Sequence, residues 1–154
     1  MKKVPSPSFS AYKPASLTSS RIKKENRSVN TCHELLLCRE LRRKGILFQR
    51  HVSTLPGKPD IVFRRARLVV FCDGDFWHGR RWSRLKLSLK KGVNSPYWIS
   101  KIASNIQRDK RISSSLRHLG WSVLRVWETD IKRNPVAVAN QIMMRVSNRL
   151  TKPN

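Results

Sequence analysis

What this chain can fold into is limited first by a pair of apolar runs edged with carboxylates, in the stretch from Pro59 to His78, PDIVFRRARLVVFCDGDFWH. DIVF and LVVFCD, separated by an Arg-Arg-Ala-Arg connection, have the β-branched and aromatic content of two strands of a hairpin. Asp60 begins the first strand and Asp73 ends the second, so antiparallel pairing brings both carboxylates to the same end of the sheet. Burying a carboxylate is costly unless it is paired, and two at one end offer oxygen ligands to a hard divalent cation. The plainer alternative is that Asp60 caps a turn and Asp73-Gly74 makes another. Asp75, Phe76, Trp77 and His78 follow directly, so candidate metal ligands, a candidate general base and a stacking surface share twenty residues.

These acids stand out because they are scarce. Among 154 residues, 33 are Lys or Arg and only nine are Asp or Glu, a formal net charge of +24. A field of that sign draws the protein toward polyanions, nucleic acid first. There is no apolar run of the roughly 18 residues that a bilayer crossing needs, so a membrane is not the expected partner. The N-terminus, MKKVPSPSFSAYKPASL, has lysines but places prolines and serines where a signal peptide needs an apolar stretch. Cys32, Cys38 and Cys72 form no C-x-x-C pair, which argues against a disulfide framework and a thiolate zinc site and for a reducing, cytoplasmic location. The length suits one domain.

Residues 1 to about 30, rich in Ser, Pro, Lys and Arg, read as a flexible basic arm preceding a domain over residues 31–150. Thr31 and Glu34 form the T-x-x-E of a capping box, and the spacing predicts a helix from about 32 to 44, closed by Gly45. Glu34 then has two readings, reciprocal cap or site carboxylate. Ile46 to Val52 predicts a strand and STLPGKP a turn. Residues 79–94, basic with interleaved Trp82, Leu85, Leu87 and Leu89, fit a short ribbon or an ordered loop. Ser95-Pro96 opens a helix that Gly120 stops. Its apolar stripe of Trp98, Ile102, Ile106, Ile112 and Leu116 includes Asp109, which needs a partner: a neighbouring Lys or Arg, or a histidine whose tautomer it fixes, with His78 the choice. WSVLRVW, residues 121–127, alternates as a strand with Trp121, Val123 and Arg125 on one side, and a final amphipathic helix runs through Val136, Ile142 and Val146. The order α-β-β-β-α-β-α describes an α/β domain with helices flanking a mixed sheet.

That order, with a PD opening one strand and acids on the next, is similar to the restriction-endonuclease-like core of the PD-(D/E)xK superfamily. From about Thr31 to Asp130 the blocks T-x-x-E-L, LPGKPDIVF, VVFCDGDFWHG, YWISKIASNIQRD and LGWSVLRVWE resemble, in order, those of the very short patch repair (Vsr) DNA mismatch endonucleases. The resemblance implies magnesium-dependent nicking of duplex DNA beside a T:G mismatch, with one or two Mg2+ ions. It makes Asp60 the central metal ligand, with the backbone carbonyl of Cys72 also reaching a metal. It makes His78 the catalytic histidine, Asp109 its supporting carboxylate and Glu34 a match to a catalytic acidic residue of the first helix, so that Glu34 is expected to cap and reach the site at once. Phe76, Trp77 and Trp98 match aromatic residues that wedge into the base stack, and Arg80 and Arg81 are expected to contact DNA beside them. The family's prototype holds a structural zinc at positions that here read Asp75, Arg80, Trp82 and Thr129, so no zinc is expected. Asp73 replaces a histidine and is expected to ligate metal and share in catalysis, whereas Asp75 is a third acidic ligand or surface.

The expected partner is therefore double-stranded DNA, acted on by a monomer, with mismatch-repair or restriction-modification proteins as candidate associates. Two rivals follow from the same residues: a related nuclease with other DNA specificity, acting in defence against foreign DNA, and a non-catalytic DNA-binding protein. Charge alone would serve the last of these, but a pure binder has no use for Asp60, His78 and Asp109 near phosphates.

Overall fold

A computed structural model describes residues 30–151. The arm expected over residues 1–30 lies outside them but for Asn30. The first helix, α1, spans Cys32–Arg43, with the Thr31 side chain accepting from the Glu34 amide as the capping box requires. Strands β1 (Gln49–Arg50), β2 (Ile61–Phe63) and β3 (Leu68–Asp73) follow, then helices α2 (Trp82–Lys90) and α3 (Ser95–His118), strand β4 (Ser122–Trp127), and helices α4 (Glu128–Arg133) and α5 (Pro135–Thr151).

Order in the sheet is β1-β2-β3-β4. The first three strands are antiparallel neighbours, and β4 runs parallel to β3 with Phe71 opposite Arg125 and Asp73 opposite Trp127. Alternation along β3 divides the core in two. Leu68, Val70 and Cys72 join Leu37 and Leu41 of α1 and Ala139 and Ile142 of α5 on one face. Val69 and Phe71 join Leu116 and Ile112 of α3 on the other. Asp73 continues the second series, so the period of two directs it toward α3.

Three details depart from the sequence reading. Residues 79–94 form neither ribbon nor loop but largely helix α2. Trp82, Leu85 and Leu89, at helical spacing, are half-buried, whereas Leu87 is 61% exposed. The strand expected over Ile46 to Val52 shrinks to β1, because His51 takes φ +49° and breaks the extended chain. The residues after Trp127 form the short helix α4 rather than a connection. The order therefore gains two helices over the expected α-β-β-β-α-β-α, and the mixed sheet flanked by helices stands.

Candidate active site

Asp60 precedes β2, and its Oδ2 accepts the amide of Cys72 from β3 at 2.7 Å. The hairpin thus fixes this carboxylate, as the register Ile61 to Val70 requires. Ligand atoms of Glu34, from α1, and of His51, from the loop after β1, lie with one from Asp60 within 4.8 Å of one another. Two carboxylates and an imidazole at that spacing fit a divalent cation. Burial pushes the Asp60 carboxyl up to about 7; the Cys72 amide opposes this, while the nearby charges of Glu34 and Asp73 add to it. A cation bound there would relieve the crowding. Glu34 is at once cap and site neighbour. Its carboxylate accepts the Asn30 amide at 3.0 Å and the Thr31 hydroxyl at 2.8 Å, and Oε2 lies 3.7 Å from His51 Nε2.

The Cys72 carbonyl, expected to face a metal, is approached instead by Nε2 of buried His33 at 3.3 Å. Asp73, expected among the ligands, is not in the cluster. Its two oxygens are taken by Arg125, from Nε at 2.5 Å and Nη2 at 2.7 Å. Both aspartates do sit at the same end of the hairpin, but they face different partners.

A second group lies on the α3 face. His78 Nδ1 is 2.6 Å from Asp109 Oδ2. Burial works against the Asp109 charge, but the His78 hydrogen bond and the Arg125 charge outweigh it and hold the carboxyl below the ordinary range. An ionised carboxylate only accepts, so Nδ1 carries the proton of this hydrogen bond, which in the neutral ring leaves the lone pair on Nε2. Arg125 Nη2 comes within 3.4 Å of the same Nδ1, a longer approach than the carboxylate's and one between two donors. Beside this pair a groove of about 330 Å³ is lined by Asp73, His78, Asp109, Lys110, Ser113, Arg117 and Arg125, among others. A larger, mostly apolar concavity of about 540 Å³, bordered by Leu47, Met143 and Leu150, contains none of these acids or histidines.

The loop carrying His78 is locked to α3. Asn105 Nδ2 donates to the Trp77 carbonyl at 3.0 Å. Gly79, at φ +67°, lies so close to α3 that a Cβ there would come within 2.6 Å of Ile106 Cδ1. Phe76, Trp77 and Trp98 cluster with ring centroids 5.2 to 5.8 Å apart, and Phe76 remains 38% exposed.

Of the arginines expected on DNA, exposed Arg81 begins α2 in a left-handed conformation. Arg80 is committed elsewhere, to Asp75 at 3.0 Å and to both oxygens of Asp130 at 2.8 and 2.9 Å. Asp75 also accepts the Thr129 amide at 2.9 Å and hydroxyl at 2.7 Å. Burial opposes its charge, but these donors hold its pKa below the ordinary value. Asp75, Arg80 and Thr129 thus brace the loop after β3 to α4, and Asp75 is no ligand of the Asp60 cluster.

The sequence model of the DNA mismatch endonuclease Vsr family matches residues 12–84. The type II nicking enzyme V.NmeDIP of Neisseria meningitidis serogroup C is 35% identical over 124 residues, 80% of this chain and 82% of that protein. The type II nicking enzyme V.HpaIIP of Haemophilus parainfluenzae is 34% identical over 128 residues, 83% and 89% of the two chains. The DNA mismatch endonuclease Vsr of Escherichia coli K12 is 36% identical over 103 residues, 67% of this chain and 64% of that protein. The protein is a DNA endonuclease with an α/β fold built on a four-stranded mixed sheet. It belongs to the Vsr family.

His51, Arg125, His33 and Asn105 escaped the sequence reading. Arg125 carried a signal, since a lone cation inside the alternating strand WSVLRVW needs a partner as much as an acid in an apolar run. His51 carried none beyond its position nine residues before Asp60.

Proposed function

We propose that this protein nicks one strand of duplex DNA at or near a T:G mismatch, with magnesium held at Asp60, Glu34 and His51. The observation that carries the reading is the 2.6 Å His78–Asp109 pair on one side of β3 and the Glu34–His51–Asp60 cluster at the same end of the sheet. Asp109 holds Nδ1, so His78 Nε2 takes the proton of the attacking water. Asp60, Glu34 and His51 would hold the cation, whose Lewis acidity would serve the scissile phosphate and the charge on the leaving oxygen, and the Cys72 amide keeps Asp60 in place. Phe76, Trp77 and Trp98 supply a surface on which an unstacked base rests, and the basic surface binds the phosphates.

A panel of T:G, fully matched and single-stranded substrates, each with Mg2+ and with EDTA, tests the reading. Nicking of the T:G duplex alone, abolished by EDTA, is expected; equal rates in EDTA would sink the metal assignment. The names of the similar type II nicking enzymes support a second reading, a duplex nick with a different specificity. Cleavage of the matched duplex as fast as the mismatched one would favour it.

A further inference from the structure

Arg125 touches both carboxylates on the α3 face of the site. The parallel register sets it opposite Phe71, and its guanidinium lies 4.8 Å from the centre of that ring. It ends on Asp73, two residues further along β3, in a two-pronged contact of 2.5 and 2.7 Å. Its Nη2 also lies 3.3 Å from Asp109 Oδ2. His78 Nδ1 consequently has two carboxylates within reach, Asp109 at 2.6 Å and Asp73 at 3.6 Å. The ring has a single proton at Nδ1, and the acceptor it chooses sets the direction of Nε2.

We propose that Arg125 is a positioning residue for strand cleavage: by occupying both oxygens of Asp73 it removes the competing acceptor, leaving His78 held by Asp109 alone and Asp73 withheld from the metal. The inference rests on reading His78 as the base. Its physical ground is the cost of an unpaired buried charge. The Asp73 side chain is 3% exposed, and without Arg125 it would be an isolated carboxylate whose nearest donor is His78. A two-pronged guanidinium contact satisfies it in a way that a point charge does not. The same contact explains why an aspartate beside the Asp60 cluster is not a member of it.

Three variants test this: Arg125→Gln, Arg125→Lys, and Arg125→Gln combined with Asp73→Asn, which removes both charges. Each is measured for single-turnover nicking, for DNA affinity and, in metal-free protein, for the downfield Nδ1 proton resonance of His78. Arg125→Gln should lose about 10- to 100-fold in rate, the scale of a misdirected catalytic group, with DNA affinity little changed and the resonance shifted or broadened. The double variant should recover the resonance and most of the rate. Arg125→Lys should fall between and serves as the readout if Arg125→Gln melts below the assay temperature. An unchanged resonance and rate in Arg125→Gln, or a double variant no better than the single, would overturn the proposal. Wild-type nicking by His78→Ala would instead remove the reading beneath it.

Discussion

His78 and Asp109 meet at 2.6 Å although they lie 31 residues apart, one in the loop after β3 and the other in the middle of α3. His78→Ala should lose about 10²- to 10⁴-fold in nicking rate, the usual contribution of a general base. Asp109→Asn should lose less, since a neutral acceptor still orients the ring. Gel-shift affinity for the same duplex should be unchanged in both, and a matching loss of binding would move His78 from the chemistry to substrate recognition.

Metal binding should follow the cluster rather than the hairpin. Calorimetric titration should show no measurable Mg2+ or Mn2+ binding by Asp60→Ala, and Asp73→Asn should bind as the wild type does. His51→Ala should weaken binding about tenfold, roughly 1.4 kcal/mol. The loss should be larger for Mn2+ than for Mg2+, because imidazole suits transition metals better than it suits magnesium. Equal losses for the two ions would place His51 outside the ligand set.

Asp60 should make the metal-free protein sensitive to pH. Its folded value of about 7 lies above the ordinary 3.8, so the folded state holds the proton more tightly than the unfolded chain does. The associated stability is complete below about pH 4 and is lost as pH rises to about 7, for a total of up to about 4 kcal/mol. Thermal melts in EDTA should therefore show Asp60→Asn gaining on the wild type between pH 4 and 8, and added divalent cation should restore the wild type at pH 8. Parallel pH profiles for the two proteins would refute this account.

DNA affinity should depend on the rim of the groove beside His78. Lys110 and Arg117 are exposed there on α3 and form no ion pair with an acid among the described residues. Replacing both by Ala should lower the slope of log affinity against log salt by about two, close to 0.9 for each phosphate that is no longer neutralised. Affinity should fall equally for matched and mismatched duplexes. An unchanged slope would show that the DNA takes another path.

Much of the candidate site was legible because its residues break a local pattern. Asp60, Asp73 and Asp109 stand where the period of a strand or helix calls for an apolar side chain, and each has a specific partner in the fold. The capping box located α1 and explains how Glu34 both closes a helix end and lies beside Asp60. Asp75 and Arg80 were harder, because a loop has no period to violate; their tie to Thr129 and Asp130 depends on α4 lying next to the loop. Helix α2 was missed because alternate leucines mimic a strand until one sees that Trp82, Leu85 and Leu89 turn inward together.

The hairpin, the helices α1 and α3, the family blocks and the pairing of His78 with Asp109 could all be read along the chain. The hairpin and helices follow from local periodicity and capping, and the pairing from the cost of burying a charge; the blocks rest on resemblance to the family. How the remaining groups divide between the two sites came from the packed fold. The parallel placement of β4 beside β3 carries Arg125 to Asp73, and the turn at His51 brings an imidazole to Asp60 and Glu34. A carboxylate's place in the chain shows that it needs a counter-charge. Which counter-charge it receives is set by strand register and side-chain direction, and these depend on residues far away in the chain.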